Sequence, residues 1–392
     1  SGVVVLFSTG RVAHITTRDS QGKPAVTVSF LRSPAGGGRP GLFGSLRNAL
    51  GGGFYRKDIA TVRAGESHQR GQRDVVIATS LGLFEIWDTH WNNGSILKHQ
   101  FDVYDLLSEA LGPLIVGQAD DYRLKVLDFV LADCKSTNPR DGPNSSLVTA
   151  VVVSVLQSAP GIVRDMFVVQ MRFSDDVQIL STNTIDFHGL RTHLDLPRVR
   201  LFVPSPGHTA FIVVGQSIVL LSLAIPEHLT IAQETVPITQ QERAFKDIIP
   251  LRSGESYEIL GSGYENQNGE GSLAACLLMV RDFGIIRIAA FPSERTKSNV
   301  DDGRITAKHK IEQAIFYGTM TKNPLNLTGN DGIGFPINET EDAALEICQE
   351  LMRSASDFIP STGISVDQNL KLRAKALDDL ALLLTQQNET IR

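Results

Sequence analysis

Cysteine is scarce in this chain: three in 392 residues, at Cys134, Cys276 and Cys348, with no metal-ligand spacing between them. That argues against a disulfide framework or a cysteine-based zinc site, and it reads as buried thiols in a reducing compartment. An excess of one charge is lacking too. Lys and Arg number 37 against 43 Asp and Glu, a net −6 spread without strong blocks, so a nucleic-acid groove is not expected. No apolar run reaches the length of a transmembrane helix, and no secretory leader is expected. The chain opens on Ser1 rather than Met, which reads as a piece of something longer. The Asn-X-Ser/Thr triplets at Asn93, Asn144, Asn326, Asn338 and Asn388 are then chance matches.

Catalytic motifs are also missing. There is no His-Glu-x-x-His pair, Walker phosphate loop, nucleophile elbow or Cys-x-x-Cys pair. Gly36-Gly37-Gly38 and Gly51-Gly52-Gly53 lack the Lys-Ser/Thr of a phosphate loop, and Gly261-Ser262-Gly263-Tyr264 reads as a turn. Asp120-Asp121, Asp175-Asp176 and Asp301-Asp302 fall in loops and read as solvated turn formers. His188 and His193 flank Arg191 in a polar segment, with no third ligand implied. The expectation is no enzyme, no cofactor, no metal and no small-molecule substrate.

What is present is strand after strand. Five pairs of β-branched or aromatic-rich runs flank turn residues, at 3–7 with 11–17, 74–79 with 83–87, 147–156 with 166–173, 211–214 with 218–223, and 273–280 with 285–291. Further strands are expected at 124–131 and 199–204. Hairpins recurring every 40–90 residues suggest propeller blades with long insertions, and a β-sandwich pair is the competing architecture. Trp87-Asp88 would close a strand in the manner of a blade ending. Residues 102–111 form an amphipathic helix candidate through Val103, Leu106, Leu107 and Ala110, while 231–249 looks like a polar excursion between blades. After Pro292 a charged linker leads to helical spacing at 311–317, 341–353 and 366–384. The last of these carries a stripe of Leu370, Ala374, Leu377 and either Ala381 or Leu384.

One Gly-rich stretch, 40–55, breaks the pattern. Leu42, Phe43, Leu46, Ala49 and Leu50 recur at the spacing of one helical face, and the opposite face, with Gly44, Ser45, Arg47, Asn48 and Gly51, is nearly uncharged. Glycine weakens such a helix in water by about 1 kcal/mol per site. A segment of this kind suits folding on a lipid surface where packing defects admit bulky side chains. It also reads as an ordinary inter-strand loop, or as a loop whose apolar residues dock on a partner.

Several strings together resemble the nucleoporin 133 family of filamentous fungi, scaffold subunits of the Y-shaped nuclear pore subcomplex. They are Phe7-Ser8-Thr9-Gly10-Arg11-Val12-Ala13-His14, Asp58-Ile59-Ala60-Thr61-Val62-Arg63-Ala64-Gly65 and Arg73-Asp74-Val75-Val76-Ile77-Ala78-Thr79-Ser80. Toward the end stand Lys310-Ile311-Glu312-Gln313-Ala314-Ile315-Phe316-Tyr317-Gly318 and Asp367-Gln368-Asn369-Leu370-Lys371-Leu372-Arg373-Ala374. The resemblance implies a mainly β chain: a β-propeller over 1–307, then α-helices over 308–392 that begin a helical solenoid. It also implies a lipid-packing sensor in a loop between blades, here 33–56, with Leu42, Phe43, Leu46, Leu50 and Phe54 as membrane-binding residues. The family ring is seven-bladed with that loop near its middle. Here the loop follows one hairpin, so the first blades either precede Ser1 or are absent. Arg39, Arg47 and Arg56 make the loop more basic than a neutral sensor.

The function so implied is a non-enzymatic scaffold at the nuclear pore, peripheral to the membrane, which supports pore assembly, mRNA export and protein transport. Its expected partners are other nucleoporins of the Y-shaped subcomplex and the curved pore membrane. A propeller serving only as a protein-interaction module is the alternative, and a propeller hydrolase is a more distant one.

Overall fold

The computed structural model describes residues 2–19, 21–32, 58–69, 71–90, 94–115, 122–132, 147–157, 163–185, 199–205, 207, 209–223, 246–252, 257–266, 273–289, 306–318, 323–327 and 335–390. The chain divides into two compact units, Ser1–Val203 and Pro204–Arg392.

The first unit holds three antiparallel sheets. The first is β1 (Gly2–Leu6), β2 (Val12–Arg18) and β3 (Pro24–Phe30), in that order. The second is β4 (Ile59–Gln69), β5 (Gln72–Thr79), β6 (Leu83–His90) and β7 (Gly94–Asp102). The third is β8 (Tyr122–Ala132), β9 (Leu147–Gln157), β10 (Val163–Phe173) and β11 (Val177–Ile185). Helix α1 (Tyr104–Leu111) follows β7, and the short strand β12 (Arg200–Phe202) ends the unit.

Strand β5 shows why these sheets stack. Its side chains alternate between two faces, and both faces are apolar. Val75 and Ile77 join Val12, Leu31 and Trp87 in a cluster with the first sheet. Val76 and Ala78 join Phe84, Phe129, Val153 and Phe167 in a larger cluster with the third sheet, which α1 caps through Leu107 and Leu111. Edge-to-face packing of Phe84 on Phe129, at 5.4 Å between ring centroids, ties β6 to β8. A strand buried on both faces is what a propeller blade requires.

The second unit continues the pattern. Strands β13 (Thr209–Val214), β14 (Ser217–Ser222) and β15 (Lys246–Pro250) pair in order, and so do β16 (Ile259–Glu265), β17 (Ala275–Val280) and β18 (Gly284–Ala289). Helix α2 (Ala307–Gln313) runs into a π-helical turn (Ala314–Gly318), followed by α3 (Ile337–Arg353) and α4 (Val366–Thr390). Ile311, Ile315, Ile347, Leu351, Leu380 and Leu383 form the centre of their shared core.

Each of the five expected hairpins lies in a different sheet. Three local readings need correction. Trp87-Asp88 sits inside β6 rather than closing a strand. Gly261-Ser262-Gly263-Tyr264 is strand, part of β16 paired to β17, because glycine is tolerated where no neighbour needs a side chain to pack against. The supposed polar excursion at 231–249 ends in strand, since β15 begins at Lys246 and pairs with β14 through Ile248 and Ile249.

Candidate functional surfaces

The expected membrane residues Leu42, Phe43, Leu46, Leu50 and Phe54 lie outside the described residues, but both ends of their segment are placed. On the entry side, Leu31 follows β3, is 2% exposed, and donates its backbone N–H to the Val12 carbonyl at 2.9 Å. On the exit side, Asp58 adopts φ 55 and its carbonyl accepts from the Ser80 N–H at 2.7 Å. Ile59 and Val62 of β4 then pack on the cluster that holds Leu31. Leu31 and Ile59, which flank 33–57 in the chain, thus belong to one apolar cluster between the first two sheets.

The first sheet also carries an apolar face. Register puts Val3, Ile15 and Val28 side by side, and Val5, Ala13 and Phe30 two residues along on the same face. Val26 extends the row along β3. Val26 is 76% exposed, Val3 58% and Val28 51%, and the Phe7 ring lies 6.3 Å from that of Phe30. Contiguous apolar area of this kind marks an interaction surface or an aggregation hazard.

Polar groups inside the fold act as fasteners. Asp128 on β8 is 1% exposed and takes both oxygens to Arg63 Nη2 of β4 at 2.8 Å. The same carboxylate accepts the N–H groups of Phe129 and Leu201, each at 2.9 Å. Burial raises its pKa above the usual carboxylate value, and the Arg63 guanidinium opposes that shift. In the second unit, Lys310 of α2 pairs with Asp247 of β15, which is 3% exposed. Arg252 donates from Nη2 to the Gly318 carbonyl, and Leu251 bridges to Leu325. The helices thus dock on the sheet containing β15, an arrangement that no local sequence signal foretold.

The other expected groups are simply located. Asp176 caps its own turn, accepting from the Val177 N–H at 2.8 Å. His188, Arg191, His193, Cys134, Asp120-Asp121 and Asp301-Asp302 lie outside the described residues. Cys276 is buried, and that burial pushes its thiol up to about 12. Among the described residues no group of three His, Cys, Asp or Glu could hold a metal ion. No helix described is long and apolar enough to cross a membrane.

Comparison with known proteins follows the same lines. The family model described as Nup133 N terminal like matches residues 1–287. The chain is 30% identical to Nucleoporin NUP133 of Chaetomium thermophilum, over 98% of this chain and 30% of that protein. It is 21% identical to Nucleoporin NUP133 of Saccharomyces cerevisiae, over 95% of this chain and 30% of that protein. The chain therefore spans about 30% of the length of these curated relatives. Among solved structures, the Vanderwaltozyma polyspora Nup133 β-propeller domain superposes with a TM-score of 0.54 at 20% identity, covering 74% of this chain and 68% of that one. That likeness shows the β-propeller fold.

Proposed function

From the chain's membership of the Nup133 N-terminal-like family of nucleoporins, we propose that this non-enzymatic β-propeller is a scaffold segment of the nuclear pore complex, peripheral to its membrane. Its partners on this reading are other nucleoporins of the Y-shaped subcomplex, and its role is to support pore assembly, mRNA export and protein transport. Residues 1–307 serve as the propeller, and 308–392 begin a helical solenoid that joins neighbouring subunits. The segment 33–56 is the contact with curved membrane, through Leu42, Phe43, Leu46, Leu50 and Phe54.

The observation that carries the membrane part is the amphipathic pattern of 42–54. An apolar stripe backed by small residues is weak as a helix in water, so it needs a surface to fold on. The described residues on either side of it, Leu31 and Ile59, belong to one buried cluster. Arg39, Arg47, Arg56 and Lys57 add positive charge without a single acidic residue over 33–57.

Flotation with small and large vesicles of one neutral composition tests this reading. Binding to small vesicles alone, lost in Leu46→Asp, is the expected result. Absence of binding at both sizes would remove the membrane contact and favour a protein-interaction module without one. Pull-downs sensitive to Leu46→Asp would then assign 42–55 to a partner protein.

A further inference from the structure

Helix α4 carries two apolar faces, and the helical core takes up one of them. Ala376, Leu380 and Leu383 are buried there, and Arg373 donates from Nη1 to the carbonyls of Leu351 and Met352 at the end of α3, at 3.0 and 3.1 Å. The second face is the stripe of Leu370, Ala374, Leu377, Ala381 and Leu384, roughly a quarter of a turn away around the helix. Leu370 is 51% exposed, Ala374 and Ala381 are exposed, and Leu377 and Leu384 are partly buried at the rim of the core.

That second face has the spacing of a coiled-coil seam. Leu370, Leu377 and Leu384 recur every seven residues, and Ala374 and Ala381 do so four places after the first two leucines. The leucines are then d positions and the alanines a positions of one heptad. Two copies side by side in parallel would set Ala against Ala and Leu against Leu in successive layers. Two antiparallel copies set Leu370 against Ala381 and Ala374 against Leu377 of the second copy, and the reverse. Each layer then joins a large side chain to a small one.

Charge fits the same arrangement. Lys371 and Asp378 stand at the e positions beside the seam, and both are exposed. In an antiparallel pair e faces e, so Lys371 of each copy meets Asp378 of the other. Lys371 reaches Asp367 on its own helix at 2.7 Å, but with side chains 75% and 72% exposed that tie is weak. The opposite flank, at Arg373 and Leu380, already faces the chain's own core, so the e side is the open one.

We propose that α4 is a self-association element, on which a second copy of this chain docks antiparallel through Leu370, Ala374, Leu377 and Ala381. Four layers make a short seam, so the pairing is transient and controlled by concentration.

Sedimentation equilibrium of the whole chain over a concentration series should show a monomer–dimer equilibrium. Lys371→Glu and Asp378→Lys each set like charges across the seam, and each should weaken dimerisation about tenfold. An equimolar mixture of the two variants restores opposite charges and should recover the dimer. The apolar face of the first sheet contains neither residue, so association through it would follow net charge, weaker in Lys371→Glu and stronger in Asp378→Lys. That pattern, or association indifferent to both changes, would overturn the proposal. A chain that stays monomeric to its solubility limit would overturn it too and leave the stripe to a helix of another protein. Should either variant fail to fold, disulfide mapping decides. Leu370→Cys chains mixed with Ala381→Cys chains should cross-link at those two positions, and neither variant should do so alone. Cross-links within the single variants and none in the mixture would mean a parallel pair and overturn the seam.

Discussion

Asp128 shows what a single buried charge does in this fold. Its carboxylate satisfies Arg63 of β4 and the backbone N–H groups of Phe129 and Leu201, so it joins elements that are 65 and 73 residues away along the chain. Removing one member of a buried pair strands the other, which typically costs about 3–5 kcal/mol. Arg63 keeps a side-chain exposure of 27%, so water relieves part of that cost and the lower end applies. Asp128→Ala should therefore lower unfolding stability by about 3 kcal/mol in a denaturant titration. Asp128→Asn should lose less, because the amide oxygen still accepts one of the two backbone N–H groups. A second residue-scale outcome concerns Cys276. Its thiol is buried and shifted to about 12, so almost no thiolate forms at pH 8. Alkylation by iodoacetamide should reach Cys276 only after denaturant is added, which peptide mapping would reveal.

At the scale of elements, α2 is held by side chains rather than by propensity. Thr306 caps it, accepting from the His309 N–H at 3.4 Å, and Lys310 reaches back to Asp247 on β15. With Asp247 only 3% exposed, Lys310→Met leaves a buried carboxylate uncompensated and should destabilise the chain by about 3 kcal/mol. Adding Asp247→Leu should restore much of that loss, since an apolar pair of similar volume spares both charges their desolvation. Denaturant midpoints of the single and double variants measure the difference. This pairing was illegible in the sequence, because two residues 63 positions apart carry no shared local pattern. Legible elements were those specified by neighbours. The β13–β14 hairpin announces itself through 211–214 and 218–223 around the turn at Gly215, and α1 through Val103, Leu106, Leu107 and Ala110, of which Val103 and Leu107 are buried. Strands β3, β7 and β11 escaped, since their partly exposed sequences alternate weakly. Strand β16 escaped for another reason: Gly261 and Gly263 look like a turn until β17 is seen to pair with them.

For the molecule as a whole, the hairpin recurrence carried the β-propeller reading, while the candidate membrane segment was legible only as an amphipathic pattern without a surface. What the structure adds is an apolar face of the first sheet, formed by Val3, Val5, Ile15, Val26, Val28 and Phe30. No single residue in that row looks unusual in the sequence, because strands β1 and β3 reveal their shared face only through their register with β2. An apolar sheet face that no described residue covers favours self-association, opposed here by a net charge of −6. The two contributions can be separated by a charge-neutral change. Val26→Thr with Val28→Thr keeps the β-branched shape and the net charge while placing hydroxyls on the two most outward positions of β3. Both sites are more than half exposed, so thermal stability should shift by no more than about 1 kcal/mol. Light scattering across a concentration series should then show weaker association in the double variant at every ionic strength. An unchanged association that instead rises with salt would mean that charge repulsion, and not this face, governs how copies of the chain meet.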